Sequence, residues 1–77
     1  MPYVNAKVMA DVLTPEQEIE VAQGITDAFV AVAGEPVRGV TMVTIEEVDS
    51  GAWTMGGDVL TTEGVQDLLA AEPTPAG

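Results

Sequence analysis

The chain has 77 residues, thirteen of them Asp or Glu and only two, Lys7 and Arg38, basic, for a formal net charge of −11. That balance excludes nucleic acid and anionic membrane surfaces as partners, because both recruit clustered Lys and Arg. A hydrophobic fraction of 47% is too high for a disordered chain, and the lack of Cys and His removes disulfides and the usual nitrogen and sulfur ligands of a structural metal.

A domain this short buries only about 60% of the surface its unfolded form exposes. Oligomerisation is the remaining staple, with part of the Val, Ala, Leu and Ile content expected between subunits. The N-terminus has neither the basic start nor the apolar run of a secretory signal, and no stretch approaches the ~18–20 apolar residues of a membrane span. A cytoplasmic protein is the default expectation.

In residues 2–9, Val4, Ala6 and Val8 alternate with Tyr3, Asn5 and Lys7, which predicts a strand starting almost at the terminus. Thr14-Pro15-Glu16-Gln17 then combines a capping threonine, a proline suited to the first helical position and a glutamine that closes a capping box. The helix is expected to run to about Ala33, where Gly34 and Pro36 stop it, with Ile19, Ala22, Ile25, Phe29 and Val32 on its buried face. Gly24 inside it points to close packing against a neighbour.

After a turn at 35–39, the β-branched run Val40 to Val48 predicts a central strand with apolar residues on both faces. Strand, helix and strand make a β-α-β unit with parallel strands and a right-handed crossover. One helix covers one face of such a sheet, and another copy of the chain is the economical cover for the other. Residues 49–60 predict a hairpin around Gly56-Gly57, and Thr61-Thr62-Glu63 opens a short second helix carrying Val65, Leu68 and Leu69. The expectation is a single α/β (α+β) domain over residues 1–72, with a frayed tail at 73–77.

Met1-Pro2 leading into a strand, Leu13-Thr14-Pro15-Glu16-Gln17 opening a helix, the run Val43-Thr44-Ile45-Glu46-Glu47-Val48, and Trp53-Thr54-Met55-Gly56-Gly57 follow one another in an order that resembles the short, 4-oxalocrotonate tautomerase-like members of the tautomerase superfamily. The resemblance covers residues 1–57. It implies a cofactor-independent isomerase subunit assembled as a hexamer, with strands pairing across subunits and the hairpin capping a neighbour's active site. It also implies that Pro2, once Met1 is removed, is the general base or acid acting on small enol and keto acids. Some relatives instead hydrate or dehalogenate unsaturated acids.

The chemistry suits the residue. A free α-amino group titrates near pH ~7.7–8.0, so modest desolvation places it where its acid and base forms coexist at neutrality. Around it, Arg38, Lys7 and Trp53 are the candidates for substrate binding, each with a plainer alternative: a solvent-facing turn arginine, an interface or surface salt bridge, and an apolar plug between subunits. Glu46 and Glu47 end the second strand, where one of them bonds substrate or activates water, or both are solvated or pair with Arg38.

The sequence departs from the family at the arginines that hold substrate carboxylates, whose places fall at Val12 or Leu13 and at Thr41 or Met42. The negative surroundings favour a protonated Pro2. A hydratase- or dehalogenase-like enzyme with Pro2 as general acid, or a non-catalytic subunit of a hetero-oligomer with a related arginine-bearing chain, therefore stands beside the ordinary tautomerase. No metal or nucleotide motif is present.

Overall fold

The structure, a computed structural model, describes residues 1–71; the tail expected at 73–77 and the boundary at residue 72 lie outside them. Strand β1 (Tyr3–Met9) and strand β2 (Met42–Val48) pair in parallel, from Tyr3 opposite Met42 to Met9 opposite Val48. Helix α1 (Pro15–Ala33) makes the crossover and packs on β2. A short hairpin of β3 (Trp53–Met55) and β4 (Asp58–Leu60) leads into helix α2 (Thr62–Ala71).

The alternation in β1 puts Pro2, Val4, Ala6 and Val8 on a half-buried face, matched across the sheet by Val43 and Ile45. The other face carries Tyr3, Asn5 and Lys7 beside Met42, Thr44 and Glu46, and it is open in the single chain. Its polar groups bond one another: Asn5 Nδ2 donates to Thr44 Oγ1 at 2.7 Å, and the Tyr3 hydroxyl lies 3.1 Å from the same oxygen.

Both ends of α1 follow the sequence. Thr14 Oγ1 accepts from the Gln17 N–H at 3.1 Å, and Gln17 Oε1 accepts from the Thr14 N–H at 2.9 Å. At the other end Gly34 takes φ 95°, a left-handed conformation that costs glycine little, and its N–H donates to Val30 O at 2.8 Å.

The inward face of α1 is the expected one at Ala22, Ile25 and Phe29 and differs at its two ends. Its half-buried side residues are Glu18, Ala22, Ile25, Thr26, Phe29 and Val30, whereas Ile19 is 58% and Val32 90% exposed. Spacing alone allowed either stripe, and docking on β2 selected the one that begins with a glutamate. Among the described residues nothing beyond α1's own backbone lies within 4 Å of where a Cβ on Gly24 would sit, so its expected close packing has no basis within them.

The segment expected as a plain turn is a 3-10 helix over Glu35–Val40. Thr41 closes it, its N–H reaching Arg38 O at 3.4 Å and its hydroxyl donating to Val37 O at 2.7 Å. β2 consequently starts at Met42, two residues later than expected, with the Met42 N–H donating to Pro2 O at 2.9 Å.

Gly56 and Gly57, at φ 60° and 87°, give the hairpin its two-residue turn. The start of α2 is tied to the far end of the sheet: the Thr62 hydroxyl donates to Ala10 O at 2.7 Å, and Gln66 Nε2 donates to Asp11 O at 2.7 Å. Thr61, just before the helix, caps it by accepting from the Gly64 N–H at 3.1 Å. No helix among the described residues is long and apolar enough to cross a membrane.

Among the described residues only Met9 is a buried hydrophobic, while Tyr3, Met42, Met55, Val59, Leu68 and Leu69 are exposed. With so thin a core, the local terms at the helix ends count heavily. Thr14→Ala, which removes the Oγ1 acceptor of the Gln17 N–H and leaves the backbone bond to Gln17 Oε1, is expected to lower unfolding stability by about 1 kcal/mol in a urea titration; an unchanged midpoint would show that the threonine side chain contributes nothing to the cap.

Candidate active site

Pro2 immediately precedes β1 at the end of the sheet where β2 begins, and it is half-buried on the helix-facing side. Its carbonyl is fixed by the Met42 N–H, so the backbone at residue 2 is held by the sheet. Met1 precedes it, 85% exposed. In this chain the Pro2 nitrogen is therefore a peptide nitrogen, and the basic secondary amine exists only after Met1 is cleaved.

Arg38 lies at the same end of the sheet, in the 3-10 segment that delivers the chain to β2. Its Nε donates to Glu35 at 2.7 Å and its Nη1 to Asp27 at 2.9 Å. Glu35 first and Asp27 second push the guanidinium further above its ordinary value, so it stays charged, but two carboxylates balance it. All three side chains are largely exposed, so the cluster adds little stability. The pairing of Arg38 with Glu46 or Glu47 that the sequence allowed is not formed.

Beside Arg38 an open groove of about 310 Å³ runs between α1 and β2, lined by Ile19, Ala22, Gln23, Thr26, Thr41 and Val43. Thr41, on the wall of this groove, stands one register step before Met42 and so opposite Pro2. Hydrophobic periodicity gives no sign of the groove, because it assigns Ile19 and Ala22 alike to a closed interface.

Lys7 stands in mid-strand on the open face, opposite Glu46 in the register, away from the helix-facing side that carries Pro2. Among the described residues it has no ion pair within 4 Å. Trp53 is half-buried at the other end of the sheet, its Nε1 donating to Val48 O at 3.1 Å. Since Val48 pairs with Met9, seven residues along the strand from Pro2, the indole and Pro2 lie about 20 Å apart. One chain thus brings Pro2 and Arg38 to one end and leaves Lys7 and Trp53 elsewhere.

Glu47 faces α1, where its carboxyl group meets that of Glu18. The hydrogen bond to Glu47, then burial, then the charge of Glu47 raise the Glu18 carboxyl above the ordinary carboxylate value. Sequence reasoning placed Glu47 near substrate or solvent and did not pair it with a second acid.

The chain is similar to several known proteins. The family described as "Tautomerase enzyme" matches residues 2–63. A probable tautomerase of Dickeya dadantii (strain 3937) is 34% identical over 61 residues, 79% of this chain and 90% of that protein. Among solved structures, DmpI from Helicobacter pylori is 30% identical with a TM-score of 0.64, covering 75% of this chain and 94% of that one. A heterohexamer 4-oxalocrotonate tautomerase from Chloroflexus aurantiacus J-10-fl is 25% identical with a TM-score of 0.68, covering 77% of this chain and 92% of that one. On a family match that takes in both strands, the crossover helix and the hairpin, the chain belongs to the tautomerase family.

Proposed function

We propose that the chain is a cofactor-independent isomerase in which the secondary amine of Pro2, freed by removal of Met1, moves a proton in the keto–enol tautomerisation of a small 2-oxo or enol acid. The observation that carries the reading is the placement of Pro2: half-buried, next to the first residue of a paired strand, with its carbonyl held by Met42 and an exposed Met1 in front of it. A fixed amine in a partly dry place is suited to proton transfer near neutrality. In the ketonising direction the neutral amine accepts the enol hydroxyl proton, and the resulting ammonium returns a proton to carbon as the C=C electrons shift and the C=O bond forms.

The site is completed by other subunits. Trp53 is about 20 Å from Pro2 within one chain, so it shapes and dries the pocket of a neighbouring copy rather than its own. The bare sheet face and the exposed hairpin provide the surface for that assembly, which we take to be a hexamer in the cytoplasm. Arg38, already at the Pro2 end, orients the substrate carboxylate, and Lys7 offers a second cation from the open face.

A second reading is favoured by Val12 or Leu13 and Thr41 or Met42 standing at the family's arginine positions, and by the net charge of −11. In it the chain is either a non-catalytic partner in a hetero-hexamer whose related subunit brings the missing arginines, or a hydratase- or dehalogenase-like enzyme. In the latter the negative field holds Pro2 protonated, as a general acid acting on an unsaturated acid.

Turnover of phenylpyruvate or 2-hydroxymuconate tests the first reading. Pro2→Ala is expected to lose at least 10²-fold in kcat/KM, the lower end of what a positioned general base supplies; equal rates in the two proteins sink the Pro2 mechanism. Arg38→Ala is expected to raise KM for the same substrates about tenfold with kcat nearly unchanged, the pattern of lost ground-state binding. An unchanged KM would assign Arg38 to its ion pairs with Asp27 and Glu35 alone.

A further inference from the structure

Glu18 is the one acidic residue on the inward side of α1. That side otherwise consists of Ala22, Ile25, Thr26, Phe29 and Val30. On β2, Glu47 continues the parity of Val43 and Ile45 and therefore faces the helix. The two carboxyl groups meet where the start of α1 crosses the end of β2. Glu18 Oε2 is shut off from solvent and receives no N–H or hydroxyl donor. Two carboxylates have no proton to place between them, so the contact is a hydrogen bond only when one of the pair is protonated.

Among the described residues of one chain, no cation pairs with either carboxyl group. The ion pairs of Arg38 go to Asp27 and Glu35. Lys7, on β1, projects from the opposite sheet face beside Glu46. The other charged residues near this seam are Glu16 and Glu20 on α1, Asp11 after β1 and Asp49 after β2. All four are exposed acids, and their charge adds to the repulsion.

We propose that Glu18 and Glu47 share a single proton and act as a pH-sensitive latch between α1 and the end of β2, closed in mild acid and opened by mutual repulsion as the proton leaves. The direction follows from linkage. The Glu18 carboxyl lies above its ordinary value of 4.5 in the folded chain. The stability it contributes is therefore complete below 4.5 and is lost as the pH rises through the raised folded value.

The latch is wired to the hairpin. Val48, the residue after Glu47, accepts both the Trp53 indole N–H and, at 2.9 Å, the Ala10 N–H. Opening at Glu47 loosens the strand end on which Trp53 is anchored, so the single tryptophan of the chain reports the event.

The experiment is a carboxyl-carbon NMR titration of the full chain, with the melting temperature and Trp53 emission followed over the same pH range. In wild type the Glu18 midpoint is expected above the ordinary carboxylate range, with the melting temperature falling and the Trp53 emission changing across that midpoint. In Glu47→Gln the amide donates to Glu18 without needing a proton, so the midpoint is expected to drop and the acid advantage to disappear. Glu20→Gln, which removes the same charge from an exposed site on α1 without supplying a donor to Glu18, is expected to move the Glu18 midpoint far less than Glu47→Gln does. A wild-type Glu18 midpoint in the ordinary range, or one unmoved in Glu47→Gln, overturns the latch. If Glu47→Gln does not fold, the wild-type titration decides alone.

Discussion

A single helix lying on one face of a two-stranded sheet governs the rest of this molecule. The helix supplies cover for Val4, Ala6, Val8, Val43 and Ile45, but it cannot also cover the face that carries Tyr3, Met42 and Thr44, nor the hairpin side chains Met55 and Val59. With Met9 as the buried hydrophobic among the described residues, the apolar area removed from water within one chain is small against the conformational entropy of ordering it. Association is the physical remedy. It also explains why the candidate site is divided, with Pro2 at one end of the sheet and Trp53 anchored to Val48 at the other. In the proposed assembly the exposed surfaces gain a use, because the contact that stabilises a subunit would also complete its neighbour's pocket.

Local sequence rules located most of the elements. The Thr14-to-Gln17 capping box, Gly34 at the helix end and Gly56-Gly57 in the hairpin each encode their geometry in the residues that form it. Rules of that kind need no knowledge of the rest of the fold. What stayed hidden depends on contacts distant in sequence. Whether α1 turns Ile19 or Glu18 inward is decided by its docking on β2, and the hydrophobic pattern favoured the residue that ended outside. The two-residue delay in β2 arises because the Arg38 carbonyl and Thr41 close a 3-10 turn first. The sequence named Pro2, Arg38, Lys7 and Trp53 as candidates but carried no sign of how they are arranged. They lie on two faces and at two ends of one sheet, and the proposed site requires a neighbouring chain to bring them together.

An excess of negative charge sets the tone of the contacts between ionisable groups. Thirteen acids against two cations leave carboxylates to meet one another, as Glu18 and Glu47 do, or to compete for Arg38, as Asp27 and Glu35 do. In the proposed mechanism the same field surrounds the Pro2 amine freed by loss of Met1 and favours its protonated form. The placement of the amine follows from the strand, whereas its protonation state follows from all the charge around it. On the proposed mechanism, the balance between base and acid chemistry is thus a property of the assembly rather than of Pro2 alone.

The central claim is that residue 2 ends in a working amine, and ¹⁵N NMR of the chain labelled at proline, titrated across neutral pH in its assembled state, tests it most directly. The account requires a Pro2 nitrogen that titrates as a secondary amine, with a midpoint that moves when a small 2-oxo acid binds. A Pro2 nitrogen that does not titrate, because it remains in a peptide bond to Met1, would contradict it.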